Sequence, residues 1–185
     1  MASGSTVPAT ATTWKIDPAH SVAEFKVKHM MIANVKGKFS GINGTLHLDE
    51  ADPSRSTIEA SIPMDTVFTG DAQRDTHLKS PDFFHCEKHP TMTFKSTKVE
   101  AKGPGELAVT GDLTIHGVTK PVTFEVEGPT PPAKDPWGNT RVGLEATTKI
   151  NRKDFGLTWN AALETGGVLV GEDVAITLDV EFIKA

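Results

Sequence analysis

The sequence predicts an all-β fold, about eight short antiparallel strands able to close into a barrel, with a short helix near one end. Three observations predict it. Apolar and polar residues alternate through one segment after another, the period of a pleated strand with one hidden face. Gly, Pro, Asn and Asp split these segments at short intervals, as turns do between antiparallel strands. One internal stretch without alternation, "FTGDAQRDTHLKSPDFFHCEKH", is the place for a helix.

Taken in order, residues 1–13 of "MASGSTVPATATTWKID" read as a disordered polar tail, and residues 14–185 as one domain. "SVAEFKVKH" sets Ala23, Phe25, Val27 and His29 on one face against Glu24, Lys26 and Lys28 on the other. "VKGKFSGINGTLHLD" carries Gly37, Gly41 and Gly44 amid Phe39, Ile42, Leu46 and Leu48, which predicts a strongly bent strand. "STIEASIPM", "TMTFKSTKVEA", "ELAVTGDLTIHG" and "KPVTFEVEG" follow as alternating strands, the last two joined by a tight turn in "HGVTK". The helix is expected over about Asp71 to Lys79, with Asp71 as its N-cap. "GPTPPAKDPWGN" holds four prolines and two glycines and is expected to lack regular structure. "TRVGLEATTKI" and "VLVGEDVAITLDVEFIK" complete the set, separated by the irregular "NRKDFGLTWNAALETGG".

With 185 residues, 37% of them apolar, the chain has the size and balance of a single globular domain. A net charge of −5 offers no basic footprint for nucleic acid, so no nucleic-acid partner is expected. Cys86 is the only cysteine, which excludes an internal disulfide and a cysteine-based zinc site. No run reaches the roughly 18 apolar residues of a spanning helix. The first residues lack the basic and apolar regions of a secretory signal, so a cytoplasmic location is expected; a periplasmic or secreted one follows if a leader was removed.

Strand parity names the inward candidates: Phe25, Val27, His29, Phe39, Ile58, Ile62, Phe94, Leu113, Ile115, Val122, Phe124, Val142, Leu144, Ile176, Leu178, Val180 and Phe182. Nearly all are apolar. They either fill the interior or surround a lumen whose natural guest is an apolar molecule. Alternation locates an inside and does not distinguish the two.

Polar candidates stand out against this background. His29 shares the face of Phe25 and Val27, where it either meets a lipid head or quinone carbonyl or sits neutral against a backbone carbonyl. Arg74, His77 and Lys79 cluster about the helix and are candidate head-group contacts; alternatively Arg74 and Asp75 pin the helix to its neighbours. Arg152 and Asp154 are expected to lock their loop rather than face a ligand, and His20 to occupy a turn. His85, Cys86 and His89 have metal-ligating chemistry, but their spacing matches no known site and Pro90 follows directly, so no metal is expected. Neither a Gly-rich phosphate loop, a nucleophile elbow nor an HExxH pattern occurs.

Five segments in order, "TWKIDPAHSVAEFKVKHMMIANVKGKFSGINGTLHLD", "RDTHLKSPDFF", "HPTMTFKST", "GDLTIHGVTKPVTFEVE" and "INRKDFGL", resemble the YceI family of bacterial lipocalin-like proteins. The resemblance runs from Trp14 to the C-terminus. It implies an extended lipocalin-like barrel of about eight strands with a helix near one mouth, whose apolar tunnel binds a polyprenyl lipid or isoprenoid quinone. It implies no catalytic activity and no required cofactor beyond that bound lipid, and homodimers occur in such a family. The alternative is an enzyme acting on a lipid-linked substrate through histidines at the barrel mouth.

Overall fold

The computed structural model describes residues 11–164 and 166–185. Of the expected tail, residues 1–10 lie outside the described residues. Its end is corrected: Thr12 and Thr13 belong to a strand, β1 (Thr12–Ile16), and pair with Leu48 and His47. The sequence alone puts Thr12 and Thr13 in the tail because they continue its polar run up to Trp14. Trp14 is nonetheless 1% exposed, and its indole N–H donates to Thr12 Oγ1 at 2.8 Å, so the strand is fixed by one large apolar anchor with a satisfied polar handle.

Ten further strands follow: β2 (Val22–His29), β3 (Ala33–Phe39), β4 (Asn43–Leu48), β5 (Thr57–Pro63), β6 (Thr91–Gly103), β7 (Glu106–Ile115), β8 (Val118–Glu127), β9 (Ala133–Lys134), β10 (Thr140–Asn151) and β11 (Val170–Lys184). Every pairing is antiparallel. Eight strands form a closed ring, in the order β11–β1–β4–β5–β6–β7–β8–β10, and β10 returns to β11 over eleven residue pairs. Closure leaves no open edge along the ring.

The 15-residue β11 is the keystone. One edge serves β10 throughout. Its other edge is divided: Phe182–Lys184 pair with β1, while Val174–Asp179 pair with β2. The β2–β3 hairpin therefore fills the wall beside the first half of β11, and β1 with β4 fill it beside the second half. This explains a correction to the bent strand expected at "VKGKFSGINGTLHLD". The chain breaks at Gly41 (φ +71°), so β3 pairs with β2 and β4 with β1 and β5, and the two pieces serve different parts of the wall.

Two smaller differences have local causes. β6 carries a bulge between Ser96 and Lys98, which shifts its parity so that Met92, Phe94 and Val99 share the inner side. Within the proline-rich connection, Ala133 and Lys134 form the two-residue β9 on the edge of β10. The helix α1 (Ala72–Lys79) lies where expected, and the Asp71 carboxylate accepts from the Arg74 N–H at 2.9 Å.

Pairing defines two ends of the barrel. The hairpin end holds the β2–β3 turn, α1 and the loop from Arg152 to Val170; the sealed end holds Trp14, Val142 and Phe182. Those three side chains are at most 2% exposed.

Candidate functional site

Inside the ring lies a cavity of about 350 Å³, within the range of small-molecule sites. Its wall is almost wholly apolar because each strand contributes one face of its alternation. Phe25, Val27, His29, Phe39, Ile58, Ile62, Phe94, Leu113, Ile115, Phe124, Leu144, Ile176, Leu178, Val180 and Phe182 all border it. Val142 and Val122 do not; Val142 packs with Trp14 and Phe182 beyond the sealed end of the cavity, and Val122 packs with Phe155 outside its reach. Sequence parity finds a face but not the depth at which packing closes it.

Two aromatic–glycine pairs set the bore. An ideal Cβ on Gly37 would lie 2.2 Å from Cζ of Phe25, its cross-strand partner, and one on Gly111 would lie 2.5 Å from Cζ of Phe94. Both rings lie back into space that only glycine leaves, so they line the wall instead of crossing it.

Polar groups gather at the hairpin end. The Arg152 guanidinium, 3% exposed, donates to the carbonyls of Gly171 (2.7 Å), Leu157 (2.6 Å), Trp159 (2.9 Å) and Val170 (3.3 Å). It locks the loop as its place in "NRKDFG" suggests, and it also borders the cavity. Burial lowers its affinity for the proton, with the charge of Glu172 opposing. Arg74 donates to Thr69 Oγ1 (2.8 Å) and the Thr69 carbonyl (2.9 Å), and Asp75 accepts from the same residue's N–H (2.9 Å) and hydroxyl (2.6 Å), so both residues pin α1 to the preceding loop.

His77 pairs with Asp82 at 2.9 Å and stacks edge-on against Trp159 and Phe83 at centroid distances of 4.8 and 5.0 Å. Arg74 and His77 border the cavity; Lys79 is exposed and does not. Trp159, Leu169 and Val170 also border it; aperiodic loop sequence gave no means of finding Trp159, and Leu169 and Val170 stand at the start of the last expected strand, before its alternation is established.

Three further histidines form a separate group. His89 meets His85 and His116 edge-on at 6.1 and 4.8 Å, and burial together with these neighbours and Lys88 lowers its affinity for the proton. Burial pushes the Cys86 thiol up, aided by Asp65. Among the described residues no group of three or more His, Cys, Asp or Glu side chains is placed to hold a metal ion. His20 sits in a short turn after β1, its Nδ1 2.8 Å from Asp17.

A closed antiparallel barrel around one apolar cavity is the architecture of a small-molecule binding barrel. The model of the YceI-like domain matches residues 14–182, and the chain belongs to that family. A UPF0312 protein of Pseudomonas aeruginosa is 37% identical over 180 residues, covering 95% of this chain and 89% of its own. The crystal structure of the Campylobacter jejuni YCEI protein superposes with a TM-score of 0.72 at 31% identity, covering 86% of this chain and 91% of that one. A polyisoprenoid binding domain from Saccharophagus degradans shares the fold at a TM-score of 0.65 and 15% identity, over 94% and 99% of the two chains.

Proposed function

We propose that this protein binds an isoprenoid lipid in the barrel lumen, as a polyprenyl chain, a polyprenyl pyrophosphate or an isoprenoid quinone, and sequesters or carries it without covalent chemistry. The observation that carries this reading is the apolar cavity within a closed ring, in a family with a polyisoprenoid binding domain among its structural neighbours. Each buried methylene contributes about 0.8 kcal/mol, so a five-carbon unit offers roughly 3 to 4 kcal/mol. Four or five units then offset an association cost of about 4 to 15 kcal/mol. Greasy contact alone retains the chain, and the head group sets its direction.

Binding rather than catalysis is supported by the engagement of the polar wall. Arg152 is held by four carbonyls, Arg74 by Thr69 and His77 by Asp82. The head group is assigned to the hairpin end, where Arg74, His77, Arg152 and His29 border the cavity.

Native mass spectrometry of protein purified without detergent tests the reading: an extractable apolar mass is expected. Phe25→Asp removes it and Lys26→Asp, on the outer face of the same strand, leaves it in place. Equal loss in both variants, or no bound mass in wild type, rejects the lumen as the site.

A further inference from the structure

The β2–β3 hairpin ends in a sequence its backbone does not favour. Ile32 N donates to the His29 carbonyl at 3.2 Å across Met30 (φ +52°) and Met31 (φ +62°). Positive φ at both central positions defines a type I′ turn, which favours Asn-Gly and strains other residues. The β7–β8 turn uses the same backbone signs with glycine at its second position, His116–Gly117. At the β2–β3 tip both positions are methionine, and the side chains they present face water: Met30, Met31 and Ile32 are 43, 55 and 81% exposed. The conformation does not reward that choice, and the burial gained is partial, with Met31 resting beside Gly167.

Immediately below the tip, the outer face of the hairpin carries Lys26, Lys28, Lys36 and Lys38. Lys26 stands directly opposite Lys36, a like-charge pair that weakens a two-stranded ladder. Among the described residues none of the four lysines makes an ion pair, and Lys38 sits 5.6 Å from the Phe68 ring centroid. Glu24, opposite Lys38, is the one carboxylate among the outward positions of this hairpin, so a protein of net charge −5 concentrates four cations on one shoulder. The tip is continuous with the cavity: His29 borders it, and Met30 N donates at 2.7 Å to the carbonyl of Leu169, which borders it too.

We propose that the Met30–Ile32 tip inserts among the lipids of an anionic bilayer surface while the lysines below engage the head groups, presenting the hairpin end of the lumen to the membrane. Exposed apolar residues above a basic shoulder match the layering of an interface, apolar acyl boundary beneath charged heads. This inference gives the proposed lipid carriage its donor or acceptor phase and rests on that reading for its purpose, though not for its test.

Vesicle co-sedimentation decides it. Wild type binds mixed phosphatidylcholine–phosphatidylglycerol vesicles in a salt-sensitive manner and phosphatidylcholine vesicles weakly. The double variant Met30→Asn, Met31→Gly installs the residues this turn favours, so its Tm holds or rises while vesicle binding falls roughly tenfold or more. Lys26→Gln with Lys36→Gln lowers binding roughly fivefold per lysine and flattens the salt dependence. Absence of vesicle binding by wild type, or equal binding by the Asn-Gly variant, overturns the proposal. A wild-type dimer dissolved by the same substitutions without vesicle binding overturns it in favour of a second copy of the chain. The apolar mass carried by each preparation, read by native mass spectrometry, reports separately on the lumen.

Discussion

The two ends of this barrel are built from the same strands and solve opposite problems. At the sealed end Trp14, Val142 and Phe182 interlock with Ile16, Leu46 and Leu48, and the ion-paired Arg141 ties three segments together outside them. At the hairpin end His29, Trp159, Leu169 and Val170 are only half-buried around the cavity, and the turn beyond them is strained and apolar. Stability is invested where nothing passes, and exposure is tolerated where a ligand would pass. The difference gives the lumen a direction.

The largest expected effect tests whether the sealed end is the true core. Trp14→Ala, at 1% exposure and away from the cavity lining, removes the ring that anchors β1 and destabilises by about 3 to 5 kcal/mol in chemical denaturation. Leu178→Ala, on β11 and bordering the cavity, costs nearer 1 kcal/mol, because its side chain has vacant space on one side and fewer contacts to lose. Equal costs would erase the contrast between the two ends.

Arg152→Met comes next. It keeps an apolar stem of similar reach and removes the guanidinium donor from the carbonyls of Gly171, Leu157 and Trp159, while the Val170 carbonyl keeps the Asn160 amide at 2.7 Å, a loss of about 2 to 3 kcal/mol. Hydrogen exchange should then accelerate in the loop between Leu157 and Val170 while β1 and β4 retain their protection. Acceleration spread evenly over both ends would show that the guanidinium supports the whole barrel and not the hairpin end alone.

Gly37→Ala has a smaller effect on folding and a specific one on the lumen. The new methyl displaces the Phe25 ring, at about 1 to 2 kcal/mol for overpacking, and drives it into the bore. The bound mass should shift to a shorter or narrower molecule, and Phe25→Leu in the same chain should restore the original one. An unchanged ligand would mean the ring escapes outward.

Much of this was legible in sequence, and the remainder was not for identifiable reasons. Period-two alternation located the inner face of β2, β7, β8, β10 and β11, because one-sided burial leaves no freedom of register. Asp71 announced α1 through its capping chemistry. β1 was missed because its first two residues are threonines and only Trp14 and Ile16 are left to show an alternation, too few to read as a strand. The split of "VKGKFSGINGTLHLD" was hidden because glycine marks a bend and a break alike. Whether the inner face enclosed a void depends on the balance of ring volume against strand spacing, which pairwise parity does not carry. The Arg141 network joins residues 17, 135, 141 and 181, whose proximity only the closed fold creates.

That network supplies the mildest test. The Arg141 guanidinium, hydrogen-bonded at 2.7 Å, and then His20 hold the Asp17 carboxyl at about 2, below its ordinary 3.8. Asp135 is lowered by the same guanidinium. A carboxyl whose folded value is depressed stabilises the fold fully above its unfolded value and loses that contribution as the pH falls through the folded one. Acid should therefore loosen the sealed end between about pH 4 and pH 2, where these ion pairs are discharged. The carbonyls that hold Arg152 do not titrate, and the Lys153–Glu172 pair beside it is about half exposed and contributes little. Melting curves across that interval should fall less steeply for Arg141→Gln than for wild type, and hydrogen exchange should quicken first around β1 and β9. Acid loosening that begins instead at the Arg152 loop would reverse the assignment of which end is held by charge.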